Sequence, residues 1–337
     1  MGQKLELAVA ILNGAVGDYL HRTENGLATE MACFMGGAPL VLEREALALA
    51  LPSATGRIAV LVHGVMCTED IWAFPDGRDY GSLLARDLGF TPLYVRYNSG
   101  LAIPDNGEAL DRLLAAVVAA WPVPIEEIVP IGYSMGGLVL RSACHAARTR
   151  DVTLGVGGTG AAPPPVDWLA HVRRAIYVGT PHLGAPMERL GRVVARILHA
   201  VPDPTTRLVA QIADLRSHGV KDLGDADLRH ADRKRRGLNV GLRDARHPVP
   251  LLAEIEHFLV AGALYAEPWL ATLLGDSIVP VSSATAGPGL AADNVRLLPG
   301  LSHMALAHHP DVYRNIRMWC GGAPEDTIPE EKEAGWT

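Results

Sequence analysis

A chain of 337 residues that is 49% hydrophobic and 20% charged can bury a full core, which excludes a disordered or fibrous polymer. Its net charge of −7, with no long basic face, excludes nucleic acid as an expected partner. No apolar run is long enough to predict a transmembrane segment, and 35 glycines with 24 prolines against 5% aromatics point to many tight turns between small-residue elements.

Leu5, Ala8, Leu12, Ala15 and Tyr19 fall at helical spacing, so the chain opens on an expected amphipathic helix. Glu6 and Asn13 interrupt its apolar run and no small-residue cleavage site follows cleanly, which argues against a secretion signal and for a cytoplasmic protein. Segments 31–34 and 39–42 flank Gly36-Gly37 as a hairpin. The β-rich run 57–62 predicts a strand buried on both faces. A helix near 81–88, a strand at 93–97 and a helix near 106–120 lead to the apolar run 128–131. Pro130 lies in that run and lacks an N–H, so one ladder bond is expected to be lost there. The segment 155–165 (GVGGTGAAPPP) reads as a low-complexity loop, and strands are expected again at 174–178, 255–261 and 294–298.

Between 185 and 246 the alternation stops. Leu190, Val193 or Val194, Ile197 or Leu198, and Val201 make one apolar helical stripe there, opposite Arg189, Arg192 and Arg196, and Leu208, Ile212 and Leu215 make another, as expected of a helical cap. Strands alternating with helices predict an α/β fold, a doubly wound and mainly parallel sheet with its ligands at the carboxyl ends of the strands. The expected organisation is a helix-and-hairpin extension at 1–56, a main domain at 57–320 holding the cap, and a tail at 321–337.

The chemistry centres on Gly132-Tyr133-Ser134-Met135-Gly136, placed between two apolar runs. It reads as strand, sharp turn and helix, with small residues two before and two after the serine because any side chain there would strike the neighbouring backbone. Such a nucleophile elbow holds Ser134 beside a helix N-terminus, whose free N–H groups can receive a developing oxyanion. A serine nucleophile needs a base, and the base needs an orienting carboxylate, in the chain order Ser, acid, His. His303, just past the last strand, is the candidate base among 13 histidines; His308 and His309 lie further from the strand end. Asp276 in Gly275-Asp276-Ser277 is the candidate acid, with Asp244 and Asp293 placed too early and too late. The N–H groups of Met135 and Val65 are the candidate oxyanion hole, with Met66 as second choice to Val65. His63 has no acidic or histidine partner at ligand spacing, so it is expected to hydrogen-bond within its own loop rather than bind metal. Cys33, Cys67, Cys144 and Cys320 show no metal spacing; their even count permits two disulfides without asking for them. A buried thiol is expected at Cys144.

His63-Gly64-Val65, Gly132-Tyr133-Ser134-Met135-Gly136-Gly137, Gly179-Thr180-Pro181-His182-Leu183-Gly184, Gly275-Asp276-Ser277-Ile278-Val279-Pro280 and His303 together resemble the bacterial lipase and esterase branch of the α/β-hydrolases, in particular the group related to triacylglycerol lipases and GPI inositol-deacylases. The resemblance runs from about 57 to 319. It implies hydrolysis of small-molecule or lipid carboxylic esters without a cofactor, a lipase-type loop at 179–184, and a supporting role for His63, Gly64, Thr180 and His182. The acidic loops that bind calcium in some such lipases have no identifiable counterpart, so no metal is expected. Acyl transfer and phospholipid or GPI-type deacylation use the same triad, and a non-catalytic binding module is the reading from another class. Transient contact with a lipid surface is expected only through the cap.

Overall fold

The computed structural model describes residues 2–154, 167–184, 217–230, 249–263, 279, 283, 290 and 292–322. Strand β3 (Arg57–Val62) lies inside the sheet, and its side chains alternate: Ile58, Val60 and Val62 enter one apolar layer, Ala59 and Leu61 the other. A run with an apolar residue at each of these positions suits a strand covered on both faces. Strands β1 (Ala32–Met35), β2 (Ala38–Pro39), β4 (Thr91–Arg96), β5 (Glu127–Tyr133), β6 (Arg174–Val178), β7 (Glu256–Ala263) and β8 (Val295–Pro299) complete a sheet ordered β2-β1-β4-β3-β5-β6-β7-β8. From β3 to β8 the strands are parallel, while β1 runs antiparallel to β2 and β4.

Helices α1 (Gly2–Arg22), α4 (Ile103–Ala120) and α5 (Met135–Leu154) contribute Ile11, Leu114 and Leu138 to one layer. Helices α3 (Tyr80–Leu88) and α7 (Pro310–Trp319) contribute Leu84 and Ile316 to the other. Helix α2 (Arg44–Ala50) was not legible as a separate element, and it seats Leu47 in the first layer. This helix-covered sheet, with a strand, a serine and a helix in immediate succession after β5, is the α/β-hydrolase fold. Strand order reverses around β3, which is where such sheets collect ligands at the strands' carboxyl ends.

Pro130 occupies a break in a ladder. A lone bridge joins Ile128 to Val172, and regular β5–β6 pairing begins only at Ile131. The expected loss of a bond is therefore absorbed where the two strands have not yet come together.

The expected face of α1 holds at Ala15, with Ala8 and Leu12 half-buried, and fails at its ends. Leu5 and Tyr19 are exposed, and the buried positions are Ile11, Asn13, Gly14, Ala15, Gly17 and Leu20. Two glycines decide it: a Cβ on Gly14 would run into the Met66 side chain, and one on Gly17 into that of Asn98. The helix takes the face that allows close approach rather than the face with the regular leucine spacing.

All four cysteines are free and buried, Cys144 among them, so no disulfide forms. No described helix is long and apolar enough to cross a membrane. Among the described residues no group of histidine, cysteine and acidic side chains is placed to hold a metal ion. The apolar stripes assigned to the cap lie outside the described residues. The described stretch 217–230 includes α6 (His218–Asp225) and is seated on α1 and α4: Ser217 Oγ donates to the Gly14 carbonyl at 2.7 Å, and Asp222 accepts the Ile103 N–H at 3.0 Å. Val220, Leu223 and Leu228 there join the main core.

Candidate active site

The elbow forms as its glycines require. Ser134 sits at φ +52°, a left-handed conformation that costs a non-glycine residue about 1 kcal/mol or more. Its N–H donates to the Val178 carbonyl at 2.9 Å, and its own carbonyl receives the Gly137 N–H at 3.1 Å, so both neighbouring strand and following helix hold it. A Cβ on Gly132 would lie 2.5 Å from Gly137 Cα, and one on Gly136 would overlap the carbonyl oxygens of Val62 and His63. These are backbone atoms and cannot swing aside.

His303 Nε2 lies 2.9 Å from Ser134 Oγ, within hydrogen-bonding reach. It follows β8 through the turn at Gly300, and both residues are almost wholly buried. The Tyr133 hydroxyl donates to the His303 carbonyl at 3.1 Å and its ring tilts against the imidazole at 5.2 Å. Gly179, at φ +59°, leaves room for the ring; a Cβ there would sit 3.1 Å from His303 Cε1. His308 and His309 stand elsewhere: His308 Nδ1 faces the Ile71 carbonyl, and His309 caps α7 by accepting the Asp311 N–H. Asp276 lies outside the described residues, as does Asp244; Asp293 is described and exposed.

The loop after β3 passes in front of Ser134, close enough that a Cβ on Gly64 would lie 3.1 Å from Ser134 Cβ. His63 Nδ1 is 2.8 Å from the Gly64 carbonyl, so the proton sits on Nδ1, and the ring stacks on Tyr97 at 4.4 Å. Burial holds the imidazole down to about 4, well below its ordinary range, and hence neutral. The Tyr97 hydroxyl donates to the His63 carbonyl at 2.9 Å. Met66, at φ +60°, gives its N–H to Ser99 Oγ at 2.9 Å, which removes it as an oxyanion donor. The N–H groups of Val65 and Met135 have no acceptor among the described residues. They remain able to receive a negative oxygen.

Thr180 packs against Gly137, whose Cβ would meet Thr180 Oγ1, and His182 donates its N–H to the Ser283 carbonyl at 3.0 Å. His182 Nδ1 receives Arg141 Nη1 at 3.1 Å. Tyr97, Asn98, Ser99 and Arg141 are the parts that sequence reasoning missed. Polar residues just past the carboxyl end of a strand, here Tyr97-Asn98-Ser99 after β4, were the available signal.

No family model matches the chain, and no curated protein matches it. Solved structures resemble it at low identity. The mature form of lipase BlEst2 from Bacillus licheniformis is 16% identical, covering 78% of this chain and 90% of its own, with a TM-score of 0.48. Lipase 1 from Pelosinus fermentans is 12% identical, over 79% of this chain and 97% of its own, with a TM-score of 0.46. A thermophilic esterase from Thermogutta terrifontis is 18% identical, over 79% and 90%, with a TM-score of 0.40.

Proposed function

We propose that this chain is a serine hydrolase of carboxylic esters. The observation that carries the reading is the 2.9 Å approach of His303 Nε2 to the hydroxyl of a serine held at φ +52° on an elbow. His303 takes the Ser134 proton as Oγ attacks the ester carbonyl. The tetrahedral oxyanion is received by the N–H groups of Val65 and Met135, which have no acceptor among the described residues. His303 then gives its proton to the departing alcohol. Water attacks the acyl-enzyme by the same steps in reverse, releasing the acid and restoring Ser134.

The orienting carboxylate is assigned to Asp276 on chain order. Asp276→Asn should lower kcat roughly 10²–10⁴-fold with stability little changed. A near wild-type Asp276→Asn beside a dead Asp244→Asn would move the acid to Asp244. Acyl chains of short to medium length suit the apolar stripe at Leu190, Val194 and Ile197, and a series of p-nitrophenyl esters tests that preference.

Ser134→Ala decides the reading as a whole. Turnover of p-nitrophenyl butyrate should fall on the order of 10³-fold or more, with melting temperature unchanged and labelling by a fluorophosphonate abolished. A Ser134→Ala protein that keeps more than a few per cent of activity would sink it.

A further inference from the structure

Helix α5 carries a second polar group beyond Ser134. Arg141 donates from Nη1 to His182 Nδ1 at 3.1 Å and from Nη2 to the Val249 carbonyl at 2.5 Å. Both acceptors are neutral. No carboxylate pairs with it among the described residues, and its Nε–H is buried without an acceptor. A guanidinium taken out of water without a counter-charge is costly, and native structures normally supply one.

Beside this group lies a cavity of about 370 Å³, lined by Arg141, Cys144, Thr149, Val249, Leu252 and His257 among others. Ser134, His303, Val65 and Met135 do not line it. Its walls are mainly carbon, and its size suits a small organic molecule rather than a lone ion. The other charge at its wall, Arg148, is already paired with Glu254. His257 is engaged on both ring nitrogens, by the Tyr177 hydroxyl at 3.2 Å and the Leu252 carbonyl at 3.0 Å. Burial, with Arg141 nearby, holds His182 and His257 below their ordinary range, so neither supplies a second positive charge. Among the described residues Arg141 is the arginine at this apolar chamber without a carboxylate partner, which selects a monoanion with an aliphatic tail and disfavours a dianionic phosphate.

We propose that this cavity is a binding site for a medium-chain aliphatic carboxylate, its head on the Arg141 guanidinium and its tail along Cys144, Val249 and Leu252. The site is separate from the nucleophile, so the inference does not rest on the hydrolase reading, although such an acid is also the product class of that reaction.

The test uses the full chain, with sodium octanoate, octanol and octyl phosphate followed by calorimetry, and an octanoate analogue bearing a photoreactive diazirine. Octanoate should bind at least tenfold tighter than octanol or octyl phosphate, and the photolabel should map to 141–149 or 249–257. Arg141→Gln should weaken octanoate at least tenfold while leaving octanol unchanged. Leu252→Trp fills the chamber without touching the guanidinium and should weaken both, which keeps the test decisive if Arg141→Gln does not fold. Equal affinity for octanol, unchanged octanoate binding in Leu252→Trp, or label confined to peptides holding Ser134 or His303 would overturn the proposal. Turnover of p-nitrophenyl butyrate is read separately, so loss of this site and loss of the hydrolase reading cannot be confused.

Discussion

The elbow and the loop opposite it face each other across Ser134, yet they are held in different ways. The turn of the elbow is made by residues within a few positions of the serine, Gly132, Gly136 and Gly137 with the start of α5, and β3 and β6 only close around it, β6 through the bond from the Ser134 N–H to the Val178 carbonyl. The loop at 63–66 is secured from far along the chain. Ser99 takes the Met66 N–H, Tyr97 holds the His63 carbonyl, and Gly14 of α1 lets that helix close down on Met66. A nucleophile can thus be encoded by a short motif, whereas the donor opposite it depends on tertiary structure.

Mutations can break this contrast, and the largest effect should come from the elbow. Gly136→Ala puts a methyl group against two fixed carbonyl oxygens, so Ser134 must shift. A misplacement on the order of 1 Å is enough to lower kcat about 10²-fold. The local overpacking should also destabilise the fold by about 1–3 kcal/mol in urea denaturation. Wild-type turnover in this variant would show that the turn has slack the geometry denies.

The next effect belongs to the loop and is read through pH. His63 is neutral when folded, held at about 4 against an ordinary 6.5, so the unfolded chain binds the proton first as pH falls. Stability should therefore drop between pH 6.5 and 4 rather than rise, by on the order of 3 kcal/mol from this residue. His182 and His257 are shifted in the same direction and steepen the same slope. Denaturation at pH 7 and pH 5 should show the fall, and His63→Asn should flatten it. Identical slopes would mean that the His63 ring is not buried against Tyr97 as described.

Ser99→Ala comes third. It strands the Met66 N–H inside the protein, a loss of about 1–3 kcal/mol of stability. It should lower kcat roughly tenfold with KM little changed, because the proposed Val65 donor is set by the same loop and an oxyanion is met only in the transition state. A purely structural role would leave kcat intact. The smallest effect should be Pro130→Ala, about 1 kcal/mol, because the residue is buried yet lies where β5 and β6 are not yet paired. A large loss would mean that the rigid ring, not the gap, sets the path of β5.

The same contrast explains what could be read in advance. Strand β3 and the elbow are local patterns, and both were legible in the residues themselves. So was the candidate base His303, because the fold fixes its chain order. Ser99 lies 33 positions from the N–H it holds, and no spacing rule links the two. Arg141 looks like any exposed helix arginine until β6 and the segment before β7 close around it. Helix α1 offered two apolar faces, and the one chosen depends on Met66 and Asn98, which only the folded chain brings near. Asp276 and the cap stripes remain expectations from the sequence, since both lie outside the described residues.

The two arginines at the amino ends of the strands have a consequence in time. Arg57 of β3 donates to the Cys320 carbonyl at 3.0 Å, and Arg174 of β6 donates to the Trp319 carbonyl, with Glu127 ion-paired to both arginines. The end of α7 is thereby fastened to strands made far earlier, and His303 lies only a short way before it. As the chain leaves the ribosome, the elbow can assemble as soon as β3, β5, β6 and α5 are available, while His303, the proposed base, has yet to be made. Nascent chains arrested before residue 303 should be folded around the elbow yet unreactive toward a fluorophosphonate. Reactivity should arrive only once α7 has been made and its end is fastened to β3 and β6.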